Sequence, residues 1–475
     1  MQKNLLLITA DHWPYSLLHS TGDNAIMTPT LDAIARDGVT FSSHYSTCPV
    51  CIPARRSLMT GLFPSSHGDR VYSYRMKMPD VTTLAQAFRS GGYQAYAVGK
   101  LHVYPQRNRI GFDDVVLEEE GRDEFGSMDD YALYLGDYGH AGEEFLHGMG
   151  SNSYMTRPWH LEEKYHPTAW ATREMCRMIA RKDPTRPAFY YLSYIAPHPP
   201  LVPIKEYLEM YDSVEMPVSL MDDWSNEAEI IRYFQETALE YSENDINRAK
   251  KAFYAQCTYI DHQMRIVIGT LKEHGLLDDT IIAFTSDHGD SLFDHGIVGK
   301  RNFLEGSAHV PCIIGGKPLS SHRGERRENI TCHEDLMPTL LTLCGLPVPS
   351  TVEGKDMFTS DREYLYGEIS EGLLSTRMVV GKKYKLIYYP AGNYFLLFDR
   401  INDNDEKHNI FTKQKDTGEL KEMMDYLVKH LHGDDCNWLK AGKLTGFPCP
   451  TFHTSPQYTL RNQRGCHWPP TIKEL

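Results

Sequence analysis

The sequence CPVCIPARRSLMTG occupies residues 48–61 and has the composition of a turn that leads into a helix. It places a thiol at Cys51, a rigid ring at Pro53 and a permanent positive charge at Arg55. Because proline is well tolerated in the first helical turn, Cys51 is expected at a helix N-terminus, where free backbone N–H groups favour an anion. A thiol, or an oxidised derivative of it, would be activated there. The spacing is equally compatible with a Cys51 that is only a small buried core residue.

Around this segment the chain alternates between strand and helix patterns. Residues 4–10 form an uninterrupted apolar run, as in a strand buried on both faces, and residues 28–38 carry a helix cap, an early proline and a closing glycine. The alternation continues with strands at 39–45, 94–98, 188–195 and 280–285 and with helices at 81–92, 169–182 and 246–274. This order predicts an α/β fold in which helices flank a large, mostly parallel sheet.

Four of the predicted strands are followed by polar residues. These residues are Asp11 and His12, Lys100 and His102, His198, and Asp287 and His288. Ligands of open α/β sheets bind beyond the carboxyl ends of the strands, where these side chains would meet. Two carboxylates and an imidazole suit a hard divalent cation. A helix cap at Asp11 and a capped turn at Asp287 are the alternatives.

A different pattern begins near residue 364. Short alternating runs between residues 378 and 398 predict an antiparallel sheet, and residues 421–430 predict one helix. We therefore predict a catalytic domain at 1–355 and a smaller C-terminal α+β subdomain at 356–475, which ends in a loop-rich tail.

The segment 117–166 is rich in Gly, Asp, Tyr and His but has no clear period. Such a segment is typical of long functional loops over a site. Tyr104, Arg107, His160, His166 and the loop 137–154 lie in irregular segments between the predicted catalytic strands and are candidate pocket residues, with ordinary loop structure as the alternative for each.

The composition restricts the class of protein. The 475 residues are 41% hydrophobic and 24% charged, as in a globular protein with a sizeable core. The formal net charge of −14 argues against nucleic acid or an anionic membrane as a partner, because both require a clustered basic surface.

The N-terminus lacks the features of a secretory signal, and no window approaches the ~20 apolar residues of a membrane span, so we predict a cytoplasmic protein. The ten cysteines are scattered with a single C-x-x-C at 48–51, which argues against a thiolate zinc site.

The sequence CIPAR at 51–55, followed by a Thr-Gly pair, resembles the Cys-x-Pro-x-Arg signature of the type I, formylglycine-dependent sulfatase family. The resemblance implies an alkaline-phosphatase-like fold. It also implies that a maturation enzyme oxidises Cys51 to formylglycine, whose hydrated aldehyde is the nucleophile. Ile52 and Ala54 depart from the commonest form of the signature, but neither change removes a reacting group.

Further motifs follow in the order of that family, namely Gly-Lys-Leu-His at 99–102, Pro-His at 197–198 and Gly-Lys at 299–300. The resemblance assigns one divalent metal, with Ca²⁺ as first choice and Mg²⁺ or Mn²⁺ as alternatives, to Asp11, Cys51, Asp287 and His288. Where the family commonly has a second aspartate, this chain has His12, as in the branch of choline sulfatases and phosphonate monoester hydrolases. We do not expect His12 to be a ligand.

The resemblance also implies roles for the cationic residues. It assigns Lys100 and Lys300 to the sulfate oxygens, Arg55 to support of the nucleophile, and His102 to regeneration of the aldehyde. Protonation of the leaving oxygen is assigned to His198, with Lys300 as a candidate assistant.

We therefore predict a sulfatase that hydrolyses the sulfate monoester of a small organic or saccharide alcohol, with a sulfated sugar as the favoured substrate. One alternative keeps the site and changes the substrate to a phosphonate monoester or phosphodiester. Another is a binding protein in which Cys51 stays a thiol. The oligomeric state is left open.

Overall fold

The computed structural model describes residues 3–121 and 128–453, so the end of the predicted tail, with Cys466, lies outside the described residues. The strands are β1 (Asn4–Ala10), β2 (Val39–Phe41), β3 (His44–Tyr45), β4 (Gln94–Gly99), β5 (Asp114–Leu117), β6 (Ala188–Ser193), β7 (Thr280–Ser286), β8 (Cys312–Gly315), β9 (Glu325–Arg327), β10 (Thr331–Cys332), β11 (Tyr364–Ile369), β12 (Thr376–Gly381), β13 (Tyr384–Tyr389), β14 (Tyr394–Asp399), β15 (Leu439–Lys440) and β16 (Lys443–Leu444).

The α-helices are α1 (Pro29–Arg36), α2 (Cys51–Thr60), α3 (Pro64–His67), α4 (Leu84–Ser90), α5 (Asp130–Asp137), α6 (Pro167–Ala180), α7 (Lys205–Glu209), α8 (Glu229–Gln235), α9 (Glu243–Glu273), α10 (Glu305–Ala308), α11 (Leu336–Leu343), α12 (Phe411–Gln414) and α13 (Gly418–His430). Within the described part of the chain, no helix is both long and apolar enough to cross a lipid bilayer.

The large sheet has the strand order β5-β4-β6-β1-β7-β8-β2-β9. All neighbours are parallel except β7–β8 and β8–β2, because β8 runs in the opposite direction. The predicted, mostly parallel sheet is therefore confirmed. Two differences have a simple cause. Strands β5 and β8 were not predicted, because each has only four residues, too few to show a period. The predicted strand 39–45 is divided into β2 and β3, and β3 pairs with β10 in a separate two-stranded sheet.

Strand β1 lies inside the sheet and is buried at all seven positions. Its even-numbered residues, such as Leu6 and Ile8, pack with apolar residues of α6 and α9. Its odd-numbered residues, Leu5 and Leu7, pack on the other face with residues of α4 and α11. Since helices cover both faces of the sheet, an unbroken apolar run is the pattern that the strand requires.

Helix α2 begins at Cys51, as the position of Pro53 predicts, and every one of its residues is buried. It is capped at its C-terminus by Gly61, which has φ of 67° and donates its N–H to the carbonyl of Ser57. A helix that is buried on all sides needs no polar face. Here it carries Cys51 and Arg55 into the interior.

The C-terminal part contains the predicted antiparallel sheet, with the strand order β11-β12-β13-β14. One face packs on α13, where Val379 and Leu386 contact Met423 and neighbouring residues. On the other face, Val380 and Ile387 belong to a core that also contains Tyr45 from the large domain. The predicted helix at 421–430 is found as α13, three residues longer at its start.

Candidate active site

Four side chains at the carboxyl ends of β1 and β7 and at the start of α2 converge on one point. The ligating atoms of Asp11, Cys51, Asp287 and His288 all lie within 4.8 Å of one another. His288 Nε2 is 3.3 Å from the Cys51 Sγ atom and 3.4 Å from Asp11 Oδ1. The two carboxylates are shielded from water, where a negative charge requires positive partners. This donor set fits a divalent metal, and it consists of the four residues that the sequence assigned to one.

Arg55 lies one helical turn after Cys51 and is anchored by four hydrogen bonds, one of them from Nη1 to the Tyr191 hydroxyl at 3.3 Å. Its Nε donates to Asp287 Oδ2 at 2.9 Å, and its Nη1 donates to Ser193 Oγ at 2.7 Å and to the Lys100 carbonyl at 2.9 Å. Its Nη2, 3.7 Å from Asp11 Oδ2, has no hydrogen-bond partner among the residues described. Arg55 therefore orients the Asp287 carboxylate, while its Nη2 lies near Asp11 without a hydrogen bond in the described part of the chain.

Lys100 is fully buried, and its ammonium group contacts the carboxylates of Asp11 and Glu120. Burial alone would lower the pKa of Lys100, but these two carboxylates raise it above its ordinary value. Conversely, burial would raise the pKa of Asp11, but Lys100 and neighbouring histidines hold it well below its usual range. Both groups are therefore charged at neutral pH. The sequence reasoning missed Glu120.

His198 and Lys300 form a second cationic unit. His198 Nδ1 donates to the Pro199 carbonyl, so its Nε2 is the acceptor for the Lys300 ammonium group at 2.9 Å. Burial and the Lys300 charge hold the pKa of His198 well below its ordinary value. The imidazole is therefore neutral, and the proton that this unit can deliver is one of those on Lys300.

The His12 ring lies between the rings of His288 and His198. Its ring centroid is 4.6 Å from that of His288 and 4.3 Å from that of His198. His12 Nδ1 is 2.7 Å from Asp290 Oδ2, and its Nε2 is 2.6 Å from the Lys300 Nζ. The sequence reasoning gave Asp290 no role, although its place in the segment Asp-His-Gly-Asp at 287–290 was visible.

His102 lies in the turn after β4. The Glu119 carboxylate accepts the backbone N–H groups of Leu101 and His102 at 3.0 and 2.9 Å. Burial raises the pKa of Glu119 to about 7. The His102 ring meets Tyr72 edge to face, with its Nε2 3.8 Å from Glu119 Oε2. These contacts hold His102, two residues after Lys100, against Glu119 and Tyr72.

The backbone around the site is strained. His12, His102 and Glu120 have φ of 72°, 57° and 59°, which is the left-handed region. A non-glycine residue held in such a sparsely populated conformation costs of the order of 1–3 kcal/mol and is typical of functional sites. All three residues lie just beyond the carboxyl ends of strands, at β1, β4 and β5.

A cavity of about 90 Å³ adjoins His198, and its walls include Glu118, Tyr131, Trp159 and His166. Of the candidate pocket residues, His166 lines this cavity, whereas Tyr104, Arg107 and His160 are absent from its described walls. Arg107 instead pairs with Asp130 at 2.8 Å on the surface. A larger cavity of about 610 Å³ lies between α1 and α9, and none of the predicted catalytic or metal residues is among its described walls.

Comparison with known proteins identifies the family of the chain. The family model described as sulfatase matches residues 3–346, and a model described as the C-terminal part of N-sulphoglucosamine sulphohydrolase matches residues 293–433. An arylsulfatase of Clostridium perfringens is 34% identical over 95% of this chain and 99% of its own length. A choline-sulfatase of Rhizobium meliloti is 28% identical over 72% of this chain and 68% of its own length.

Solved structures share the fold. The phosphonate monoester hydrolase of Agrobacterium radiobacter superposes with a TM-score of 0.76 at 23% identity, over 90% of this chain and 94% of that protein. BT4656, solved in complex with its substrate D-glucosamine-2-N,6-O-disulfate, superposes with a TM-score of 0.74 at 20% identity, over 90% and 97%. Since the family model covers most of the chain and the arylsulfatase aligns over nearly all of it, this protein belongs to the sulfatase family, with an alkaline-phosphatase-like fold, and is a sulfuric ester hydrolase.

Proposed function

We propose that this protein is a formylglycine-dependent sulfatase that hydrolyses the sulfate monoester of a small organic or saccharide alcohol. The observation that carries the proposal is the position of Cys51. Its sulfur lies at the start of a buried helix, 3.3 Å from His288 Nε2 and 3.8 Å from Asp11 Oδ1, with Arg55 one turn further on. An oxygen nucleophile formed at residue 51 would therefore belong to the same cluster as the metal ligands.

The cofactors follow from the residues present. Asp11, Asp287, His288 and residue 51 would hold one divalent cation, with Ca²⁺ as our first choice and Mg²⁺ or Mn²⁺ as alternatives. When bound, the cation supplies positive charge that favours the ionised form of the nucleophilic oxygen. Oxidation of Cys51 to formylglycine by a maturation enzyme would provide a hydrated aldehyde, which exchanges the soft sulfur donor for oxygen, as such hard cations prefer.

The remaining residues of the cluster have distinct tasks. Lys100 and Lys300 would place positive charge where the sulfate oxygens bind, and Arg55 holds Asp287 in position. The leaving oxygen takes up a proton that Lys300 holds, directly or through His198 Nε2. His102 is the proposed base for regenerating the aldehyde.

The cavity beside His198 is the proposed site for the alcohol. Burial and the nearby Asp129 raise the pKa of Glu118 well above its ordinary value, which favours the neutral acid, a hydrogen-bond donor. Together with the rings of Tyr131 and Trp159, such a wall suits a hydroxylated ring. We therefore favour a sulfated sugar, in line with the sulfated glucosamine on which BT4656 acts.

A phosphonate monoester or phosphodiester is the second candidate substrate. The observation that favours it is His12 in place of a second carboxylate, together with the similar fold of the phosphonate monoester hydrolase. A phosphonate monoester or phosphodiester carries one negative charge, as a sulfate monoester does, so the same cationic side chains would suit either ester.

The test compares rates of the matured enzyme on an aryl sulfate, choline sulfate, sulfated monosaccharides and a phenyl phosphonate ester, with Cys51→Ala as the blank. Mass spectrometry of the peptide that contains residue 51 establishes whether the aldehyde is present. We expect a sulfated sugar to react fastest and Cys51→Ala to be inactive. A faster phosphonate ester would make the substrate assignment wrong. A fully active protein whose Cys51 is still a thiol would refute the formylglycine mechanism.

A further inference from the structure

We infer that Asp290 and His12 form a positioning pair that holds Lys300, and through it His198, against the leaving oxygen of the ester. His12 then serves the leaving-group side of the site rather than the metal. This inference rests on the proposed hydrolysis of an ester at this site. It concerns a residue that differs from the aspartate common in the family and that we did not expect to act as a ligand.

The hydrogen bonds of His12 assign a task to each ring nitrogen. Asp290 Oδ2, 2.7 Å away, is a carboxylate oxygen that can only accept, so His12 Nδ1 carries the proton. His12 Nε2 then has a lone pair and accepts from the Lys300 ammonium group at 2.6 Å. Both nitrogens are thus engaged. A cation at the cluster would compete with Lys300 for the same lone pair.

Asp290 holds Lys300 at both ends. Its Oδ1 accepts the backbone N–H of Gly299, the residue that precedes Lys300, at 3.0 Å, and that of Leu292 at 2.8 Å. Its Oδ2 holds His12, which holds the tip of the lysine side chain, and it also accepts from the Tyr154 hydroxyl. The buried Asp290 carboxylate therefore positions both the backbone next to Lys300 and, through His12, the Lys300 ammonium group.

The tip of Lys300 is the group that needs such support. Four rotatable side-chain bonds leave a free lysine tip mobile, whereas this one is fixed by His12 Nε2 at 2.6 Å and His198 Nε2 at 2.9 Å. Two of its three N–H groups are then engaged, and the third is available to the ester. The left-handed backbone of His12, with φ of 72°, turns its ring into this place between His198 and His288.

The dependence of rate on the leaving group tests the inference. Matured wild-type enzyme, His12→Ala and His12→Gln are compared on aryl sulfates whose phenols span a wide range of pKa. Protonation of the leaving oxygen matters most for poor leaving groups, so His12→Ala should lose about 100-fold in kcat/KM on the least acidic phenol and little on the most acidic one. Glutamine keeps an acceptor for Lys300 and should recover part of this loss. It also carries the test if the alanine variant does not fold.

The matched control is His295→Gln, because His295 is another buried histidine with its Nδ1 2.8 Å from a carboxylate, that of Asp222. We expect this variant to keep the wild-type dependence on the leaving group. An equal loss over all phenols in the His12 variants would reduce His12 to a structural role and overturn the inference. If wild type hydrolyses only phosphonate esters, the proposed function is wrong, and the same comparison is made on aryl phosphonates.

Calorimetric titration with Ca²⁺ provides a readout that does not depend on turnover. Because His12 is not a ligand in this interpretation, His12→Ala should bind the cation within about threefold of wild type, whereas Asp287→Ala should bind it far more weakly. A loss of affinity in His12→Ala comparable to that in Asp287→Ala would place His12 in the metal site and overturn the inference.

Discussion

Arg55 connects the Asp287 carboxylate to the ends of strands β4 and β6. It connects Asp287 of the metal cluster to Ser193 and to the backbone of Lys100, so its side chain spans the ends of three strands. These contacts use the fork of the guanidinium group, which a lysine ammonium group cannot reproduce. Pairing with Asp287 also provides charge balance in a buried place.

We expect Arg55→Ala to lower the free energy of unfolding by about 3–5 kcal/mol, because it leaves the Asp287 carboxylate buried without its partner. Arg55→Lys should restore part of this stability but little activity, because it cannot hold Asp287 and Ser193 together. Denaturant unfolding and the rate on an aryl sulfate measure the two effects. Arg56→Lys is the control, since Arg56 is the next residue of α2 and donates to the Lys77 carbonyl. If Arg55→Lys were as active as wild type, the fork would be unimportant.

At the scale of single elements, the turn after β4 depends on Gly99. Its φ is 96°, and a Cβ atom there would lie 1.9 Å from the Ser193 carbonyl oxygen of the neighbouring strand β6. The close approach of β4 and β6 at this point places Lys100 beside Asp11. Any side chain would push the two strands apart.

Gly99→Ala should therefore cost more than about 3 kcal/mol of stability and reduce the rate at least tenfold. Gly92→Ala isolates the effect of the backbone, because Gly92 has φ of 87° but no atom within 4 Å of its Cβ position. We expect that control to lose about 1 kcal/mol and to keep its activity. Thermal unfolding measures the loss of stability, and the rate on an aryl sulfate measures the loss of activity. Equal losses of stability and activity in Gly99→Ala and Gly92→Ala would contradict the steric argument.

Asp261 shows how one helix positions another. It lies in α9, and its carboxylate accepts the backbone N–H groups of Thr30 and Leu31, at the start of α1, at 2.9 and 2.8 Å. Burial raises the pKa of Asp261 to about 6 despite these bonds. The folded protein therefore binds this proton more tightly than the unfolded chain does.

The pH dependence of stability follows from that pKa. Between the unfolded pKa of about 3.9 and the folded pKa of about 6, this group makes the fold less stable as the pH rises, by about 3 kcal/mol in total, and the cost is absent below that range. Asp261→Asn has no such titration. We expect its denaturation midpoint, relative to wild type, to rise between pH 4 and pH 6. A constant difference between the two proteins over this range would show that Asp261 titrates as in the unfolded chain.

At the scale of the whole molecule, buried charges join the C-terminal sheet to the large domain. Lys385 of β13 lies fully buried, and its ammonium group contacts Glu305 of α10 at 2.5 Å and also Glu406. Glu406 in turn accepts the backbone N–H of Glu305 at 2.7 Å. These contacts add to the shared apolar core and favour one relative position of the two parts.

Lys385→Met should lower the free energy of unfolding by about 3 kcal/mol, because the buried Glu406 carboxylate loses its cation, whereas the partly exposed Glu305 keeps His309 as a partner. Lys382→Met removes an exposed lysine whose partner is Asp361, at 2.8 Å, and should cost less than about 1 kcal/mol. Chemical denaturation of both variants provides the comparison. Similar stabilities would show that the buried network contributes no more than a surface ion pair.

Much of the fold and of the metal cluster was predictable from local patterns. The apolar runs of β1, β6 and β7 report burial on both faces, and a polar residue at the end of each parallel strand must point to the same edge. The order of Cys51, Pro53 and Arg55 places thiol and guanidinium on one side of a helix start, since residues four apart share a helix face. Strand β5 was missed, because four residues carry too little pattern to be recognised.

The sequence by itself thus determined the fold class and the direction of the main strands, because each of these depends on neighbours along the chain. The grouping of Cys51 with Asp11, Asp287 and His288 came from the family resemblance of the motifs. Only the tertiary structure decided which charges meet. Glu120 contacts Lys100, and Asp290 and Lys300 contact His12 across separations of 278 and 288 residues. No local pattern encodes these pairings, because each arises where loops from different strands are brought together and buried polar groups must find partners.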